Sequence, residues 1–221
     1  SPLRNCDNVG MPRSAQQLRN DALAIWYAGV DAVAPARLVA EHVAVDGRWL
    51  RLGNNIFELA EIDRIAVVGA GKASAGMAVA LEDSLGTALM EAKQLVGWVN
   101  VPANCLLPAK RIRVHAGRPA GVNEPRPEGV QGTQKILELV QALGPRDLCI
   151  CLLSGGGSAL LVAPVDEISL DEKVRITSLL SAAGANIQQL NTVRRHISRV
   201  KGGGLARACR AGQMASLIIS D

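Results

Sequence analysis

Aromatic residues are nearly absent from this chain: of 221 residues only Trp26, Trp49, Trp98, Tyr27 and Phe57 are aromatic, 2% of the total. Nucleic-acid modules that stack bases need aromatic platforms, so that class is not expected. Long apolar runs are missing as well. None approaches eighteen residues, so neither a transmembrane helix nor a membrane partner is expected, and no secretory leader is recognisable. Cysteine is scarce and unpatterned: Cys6, Cys105, Cys149, Cys151 and Cys209 make an odd number with no C-x-x-C. That spacing gives no disulfide framework and no zinc site, and it favours a reducing, cytoplasmic compartment. The net charge of +4 is mild and suits a small anionic substrate. Basic residues are scattered except for a denser patch from Arg194 to Arg210.

What the chain does have is 48% hydrophobic residues, largely Val, Leu, Ile and Ala, enough to fill the core of one domain. Residues 1–12 read as a loose tail and 13–221 as an α/β domain. Ser14 is a possible cap for a helix carrying Leu18, Ala22, Ile25, Trp26 and Val33; Pro35 restarts it over Ala36–Val43. Arg48–Leu52 reads as a short strand before the turn Gly53-Asn54-Asn55. Strands are then expected at 65–68, 95–101, 111–115, 148–153 and 216–219. Helices are expected at 73–85 (closed by Gly86), 129–143, 169–183 and 187–200, with a short one after the glycines at 202–204. Strands alternating with helices imply a three-layer, Rossmann-like, mostly parallel sheet with helices on both faces, preceded by a helical segment. Cys149 and Cys151 stand two apart in a strand and should point the same way, as small core residues. The chain begins Ser-Pro rather than with Met and stops directly after a strand-like run, so it is expected to be incomplete.

Three segments carry chemistry. In the first, Gly69-Ala70-Gly71-Lys72-Ala73-Ser74 leaves a strand and opens a helix. It lacks the third glycine of a dinucleotide fingerprint, and the strand ending near Asn100 lacks the acidic residue expected on a ribose. It is not a Walker A loop either. Lys72 then stands at a helix N-terminus, where a cation opposes the dipole unless an anion is bound; a plain tight turn with a solvent-facing lysine is the bland alternative. In the second, Leu148–Leu153 ends in Ser154-Gly155-Gly156-Gly157-Ser158, whose backbone N–H groups and hydroxyls can cradle a phosphate. It does not match a nucleophile elbow. In the third, Asn191, Arg194, Arg195 and Ser198 share one helical face that ends at Lys201 and a second run of glycines from Gly202. Gly69–Lys72, Ser154–Ser158 and Asp221 all lie at carboxyl ends of strands, where parallel sheets bind ligands.

Taken in order, Val68-Gly69-Ala70-Gly71-Lys72-Ala73, Leu153–Leu161, Asn191–Ser198 with Lys201-Gly202-Gly203, and Ile218-Ile219-Ser220-Asp221 resemble the signatures of the class II glycerate 2-kinases, the MOFRL family. The resemblance runs from about Arg19 to Asp221. It implies ATP-dependent phosphorylation of D-glycerate to 2-phosphoglycerate with Mg²⁺, in a cleft between two domains. On that reading this chain is the N-terminal domain, without the MOFRL domain and with a homo-oligomer left open. Lys72 and Arg194 are the implied catalytic residues. Gly69, Gly71, Ser154, Gly155, Gly156, Gly157, Ser158, Asn191, Lys201 and Gly202 are implied to bind phosphate, nucleotide or substrate, and Asp221 is a candidate Mg²⁺ ligand. Some members carry a hydroxypyruvate reductase label, so an NAD(P)-dependent reductase is one alternative, and a non-catalytic phosphate-binding fragment is another. The chain departs from the family at Arg118-Pro119-Ala120-Gly121-Val122-Asn123, which stands where a His-Pro-x-Pro-Asp-like stretch is usual.

Overall fold

A computed structural model describes residues 13–220. The tail expected at 1–12 and the candidate ligand Asp221 lie outside them.

Helix α1 (Ala15–Ala32) begins where expected. Ser14 accepts from the Gln17 N–H while the Gln17 side chain accepts from the Ser14 N–H, a reciprocal capping box. It buries none of its residues, and Ile25 and Trp26 stay exposed. Pro35 then opens α2 (Pro35–His42), its fixed φ fitting the first helical turn. No single helix among the described residues is long and apolar enough to cross a membrane. Only α1 and α2 together, bent by 43° at their break, reach that length and composition. A small antiparallel sheet follows: β1 (Val43–Asp46), β2 (Trp49–Leu52) and β3 (Asn55–Glu58). The stretch read as a turn back after β2 is thus a hairpin that continues into a third strand.

The main sheet is parallel throughout, in the order β6-β5-β4-β7-β8. Its strands are β4 (Ile65–Ala70), β5 (Val96–Pro102), β6 (Ile112–Arg118), β7 (Leu148–Ser154) and β8 (Gln213–Ile219). Helix α3 (Ser74–Ala92) covers one face together with α2 and the small sheet. Here Ile65, Val67, Leu148, Ile150 and Leu152 meet Met77, Leu81 and Leu85. Helix α4 (Pro127–Gln141) covers the other, where Ala66, Val68, Cys149 and Cys151 meet Ile136, Leu137 and Val140. Strand alternation thus divides the apolar runs between two cores. Cys149 and Cys151 share a face as expected, and burial pushes both thiols up, Cys151 to about 11, which leaves them inert.

Two helix ends differ from the sequence reading. Gly86 does not end α3. It breaks it with φ +74°, and a further stretch runs on to Ala92. Helices α5 (Leu170–Ala182) and α6 (Ile187–His196) start at Ser169 and Asn186 capping boxes, but α6 stops four residues early. Its continuation is pulled inward by the Arg199 N–H, which donates to the Ala163 carbonyl at 2.9 Å. Ser198 therefore leaves the face of Asn191 and Arg194, and its hydroxyl accepts from the Lys201 N–H instead. The short helix α7 (Gly204–Ala208) follows.

A buried carboxylate joins α3 to the start of β6. Glu82, 1% exposed, accepts the N–H groups of Lys110, Arg111 and Ile112 at 2.6, 2.7 and 2.8 Å. Glu82→Ala leaves those donors without their acceptor and is expected to cost about 2 kcal/mol, read from denaturant unfolding. An unchanged unfolding midpoint would show that the carboxylate contributes nothing.

Candidate active site

The strand order reverses between β4 and β7. The chain after β4 passes to the α3 face and the chain after β7 to the α4 face, where Leu161 and Ala163 pack. A crevice opens between two such diverging loops. Glycine lets them approach: a Cβ on Gly69 would run into the Leu152 carbonyl. One on Gly71, which has φ +146°, would run into Ser154.

The two loops are tied by hydrogen bonds. The Lys72 N–H donates to the Gly155 carbonyl at 3.0 Å, and the Ala73 N–H to Ser154 Oγ at 2.9 Å. The Ser74 hydroxyl donates to the Leu152 carbonyl at 3.2 Å. The Ser154 hydroxyl is therefore engaged in holding the start of α3. The N–H groups of Gly156, Gly157 and Ser158, by contrast, donate to no backbone acceptor among the described residues. Gly156, at φ +81°, turns the chain so that a Cβ there would touch Lys72 Cε at 3.5 Å and Arg118 Nη2 at 3.4 Å. Lys72 is exposed, and its ammonium has no hydrogen bond or ion pair among the described residues.

On the other side of the glycine turn, Ser158 Oγ accepts from Lys201 Nζ at 2.6 Å and from Arg194 Nη2. Lys201 Nζ also donates to the Ser158 carbonyl at 3.1 Å, and Asn191 Oδ1 accepts from Arg194 Nη1 at 3.3 Å. Two cavities meet at these side chains. One, of about 630 Å³, is lined by Ser158, Asn191, Arg194 and Lys201. The other, of about 470 Å³, adds Asn123 and Lys173. Lys173, on α5, is 4% exposed and donates to the Ile197 carbonyl at 2.8 Å. None of Lys72, Lys173, Arg194 and Lys201 forms an ion pair among the described residues; Glu124, at the edge of the second cavity, faces Arg126 at 3.7 Å. Gly202 stands apart: at φ +58° it turns the chain against Arg195, on the far side of Lys201.

Burial pushes Lys201 down to about 8, with the charges of Arg194 and Lys173 adding to it. Burial, then Arg194, does the same to Lys173, also to about 8. Both lysines are charged below that pH and lose their protons above it. Sulfate, whose own charge is constant in this range, is expected to bind roughly tenfold more weakly at pH 9 than at pH 7, read by calorimetry. A flat profile would remove the two lysines from the anion site.

A family profile described as a domain of unknown function, DUF4147, matches residues 21–221. The chain belongs to the DUF4147 family. The DUF4147 domain is 36% identical over 235 residues to human glycerate kinase, covering 100% of this chain and 43% of that protein. It is 43% identical over 159 residues to an Agrobacterium vitis protein with a provisional hydroxypyruvate reductase name, covering 72% of this chain and 34% of that one. The solved structure of a Thermotoga maritima glycerate kinase superposes with a TM-score of 0.74 at 32% identity, over 93% of this chain and 45% of that one. The chain thus spans less than half the length of these relatives. The Rossmann-like parallel sheet with helices on both faces is as expected.

The DUF4147 fold brings Gly69, Gly71, Lys72 and Ser154–Ser158 into one crevice and sets Asn191, Arg194 and Lys201 beside it. Sequence reasoning missed Lys173, and it noted Arg118 only as a departure from the family pattern. The strand expected to end at 115 runs on to Arg118, which places that residue at the carboxyl edge of the sheet. Lys173 had no signal beyond its turn of helix.

Proposed function

We propose that the protein containing this domain is a cytoplasmic glycerate 2-kinase, phosphorylating the 2-hydroxyl of D-glycerate from ATP with Mg²⁺. The observation that carries this reading is the glycine turn: among the described residues, three N–H groups without backbone acceptors, flanked by cations that have no carboxylate partners. The likeness to glycerate kinases supports the substrate.

Phosphoryl transfer asks a protein for positioning and charge neutralisation more than for covalent chemistry. Bound ATP supplies the phosphoryl group, and Mg²⁺ offsets phosphate charge. The Gly156–Ser158 N–H groups bind anionic oxygens. Lys72, held against Gly156, neutralises charge that develops during transfer. Arg194 and Lys201 orient Ser158 and clamp a second anionic group, Arg194 through its planar fork. Asp221, directly after Ser220, remains the proposed Mg²⁺ ligand. Among the described residues no group of three or more His, Cys, Asp or Glu side chains could hold a metal.

A nicotinamide-dependent reductase fits less well. The end of β5 offers no acid for a ribose: Asn100 is fully buried, and its side chain donates to the Leu160 carbonyl at 2.9 Å and accepts from Trp98 Nε1. Titrating ATP and NADPH separately against the full-length protein distinguishes the two. ATP should raise the melting temperature and NADPH should not, and the reverse would refute the kinase reading.

A further inference from the structure

Arg118 is the last residue of β6, at the same carboxyl edge as the crevice. It is 3% exposed, yet no carboxylate pairs with it among the described residues. Its Nη1 donates to Asn123 Oδ1 at 3.1 Å, while its buried Nε has no hydrogen-bond partner among the described residues. Its Nη2 stands against Gly156, across the glycine turn from the Ser158 cluster, and also makes no hydrogen bond among the described residues. A buried guanidinium without a counter-charge is costly, because burial strips its water and nothing replaces it. Nε and Nη2 form one edge of the planar guanidinium, the edge that meets two oxygens of a carboxylate or phosphate side by side. That edge is the unused one. The used atom, Nη1, is tied down by Asn123, so the fork is already oriented.

We infer that Arg118 is a binding residue for an oxyanion pair, completing with Lys72 and the Gly156 turn an anion subsite separate from the Ser158–Lys173–Arg194–Lys201 cluster. A kinase for a hydroxy acid needs two anion sites, one for nucleotide phosphates and one for the acid's carboxylate, and the glycine turn has one on each side. This pairing of sites rests on the proposed function; the anion subsite itself rests only on the buried, unpaired fork.

The test uses the full-length protein and its Arg118→Gln and Arg118→Lys variants, titrated separately with D-glycerate, ATP and inorganic phosphate. A fork to an ionised group contributes enough that Arg118→Gln should weaken one ligand roughly 10- to 100-fold. Arg118→Lys keeps the charge but loses the fork, so it should fall between. Loss confined to glycerate assigns the subsite to the carboxylate; loss confined to ATP and phosphate assigns it to phosphate. Without ligand, Arg118→Gln should melt no lower than wild type, since it removes an unpaired charge, and the ligand-induced rise in melting temperature should shrink. A residue that only pins the Asn123 loop would give the opposite: a lower melting temperature and unchanged affinities. That result overturns the inference, and so do folded variants that bind all three ligands as wild type does. Arg118-dependent phosphate binding in a protein with no glycerate turnover would instead leave the subsite standing and remove the kinase reading.

Discussion

Lys72→Ala in the full-length protein is expected to lower kcat by roughly 100-fold or more while the melting temperature stays near that of wild type. Loss of one preorganised electrostatic stabiliser has an effect of that order. The position of Lys72 does not depend on its own side chain. Its N–H is held by the Gly155 carbonyl and the next residue's by Ser154 Oγ, so the loop survives truncation. The exposed ammonium has no partner to lose, so stability should hardly change. What goes is the one cation carried by the α3 entry turn, beside Gly156. Arginine there should not restore activity fully, because a compact ammonium against the glycine turn differs from a wide planar fork. Near-normal turnover in Lys72→Ala would remove Lys72 from the chemistry.

Gly71→Ala acts on the fold rather than on the charge. At φ +146° an L-residue is strained, at about 1–3 kcal/mol. The new methyl would also lie 2.6 Å from the Ser154 carbonyl oxygen, backbone that cannot swing aside, which adds about 1–3 kcal/mol of overpacking. A loss of about 2–6 kcal/mol in all should lower the melting temperature by roughly 4–24 °C, at about 2–4 °C per kcal/mol. Ligand binding should weaken as well, because the two loops that make the crevice are forced apart. Gly156 differs. Its added Cβ would meet the side chains of Lys72 and Arg118 no closer than 3.4 Å, ordinary contact, so there the cost of a side chain is mainly the left-handed φ. Gly71→Ala with wild-type stability would mean that the close approach of β4 and β7 is not needed.

These expectations show where the sequence was informative. Strands β4 and β7 are uninterrupted apolar runs ending in glycine, and their two-residue period divides Ile65 and Val67 from Ala66 and Val68 between the two cores. The cap at Ser14 and the helix start at 169 are local patterns and stand as read, each within a capping box. Strand β3 has no such signal, since Asn55–Glu58 is only half apolar and owes its conformation to β2. The early end of α6 comes from a hydrogen bond between residues 36 apart in sequence, Arg199 to Ala163, which no helical period encodes. The same applies to the site. Lys72 and the glycine turns are visible because they are local. Lys173 becomes notable, and Arg118 becomes more than a departure from the family pattern, when folding buries them with no counter-charge among the described residues.

On the proposed function, this crevice belongs to a kinase that acts on the 2-hydroxyl of glycerate. The full-length protein, incubated with ATP, Mg²⁺ and D-glycerate and followed by phosphorus NMR, tests it directly. The expected product is 2-phosphoglycerate, formed one for one with ADP. Product phosphorylated at the 3-position, or no ATP-dependent phosphorylation of glycerate, would contradict it.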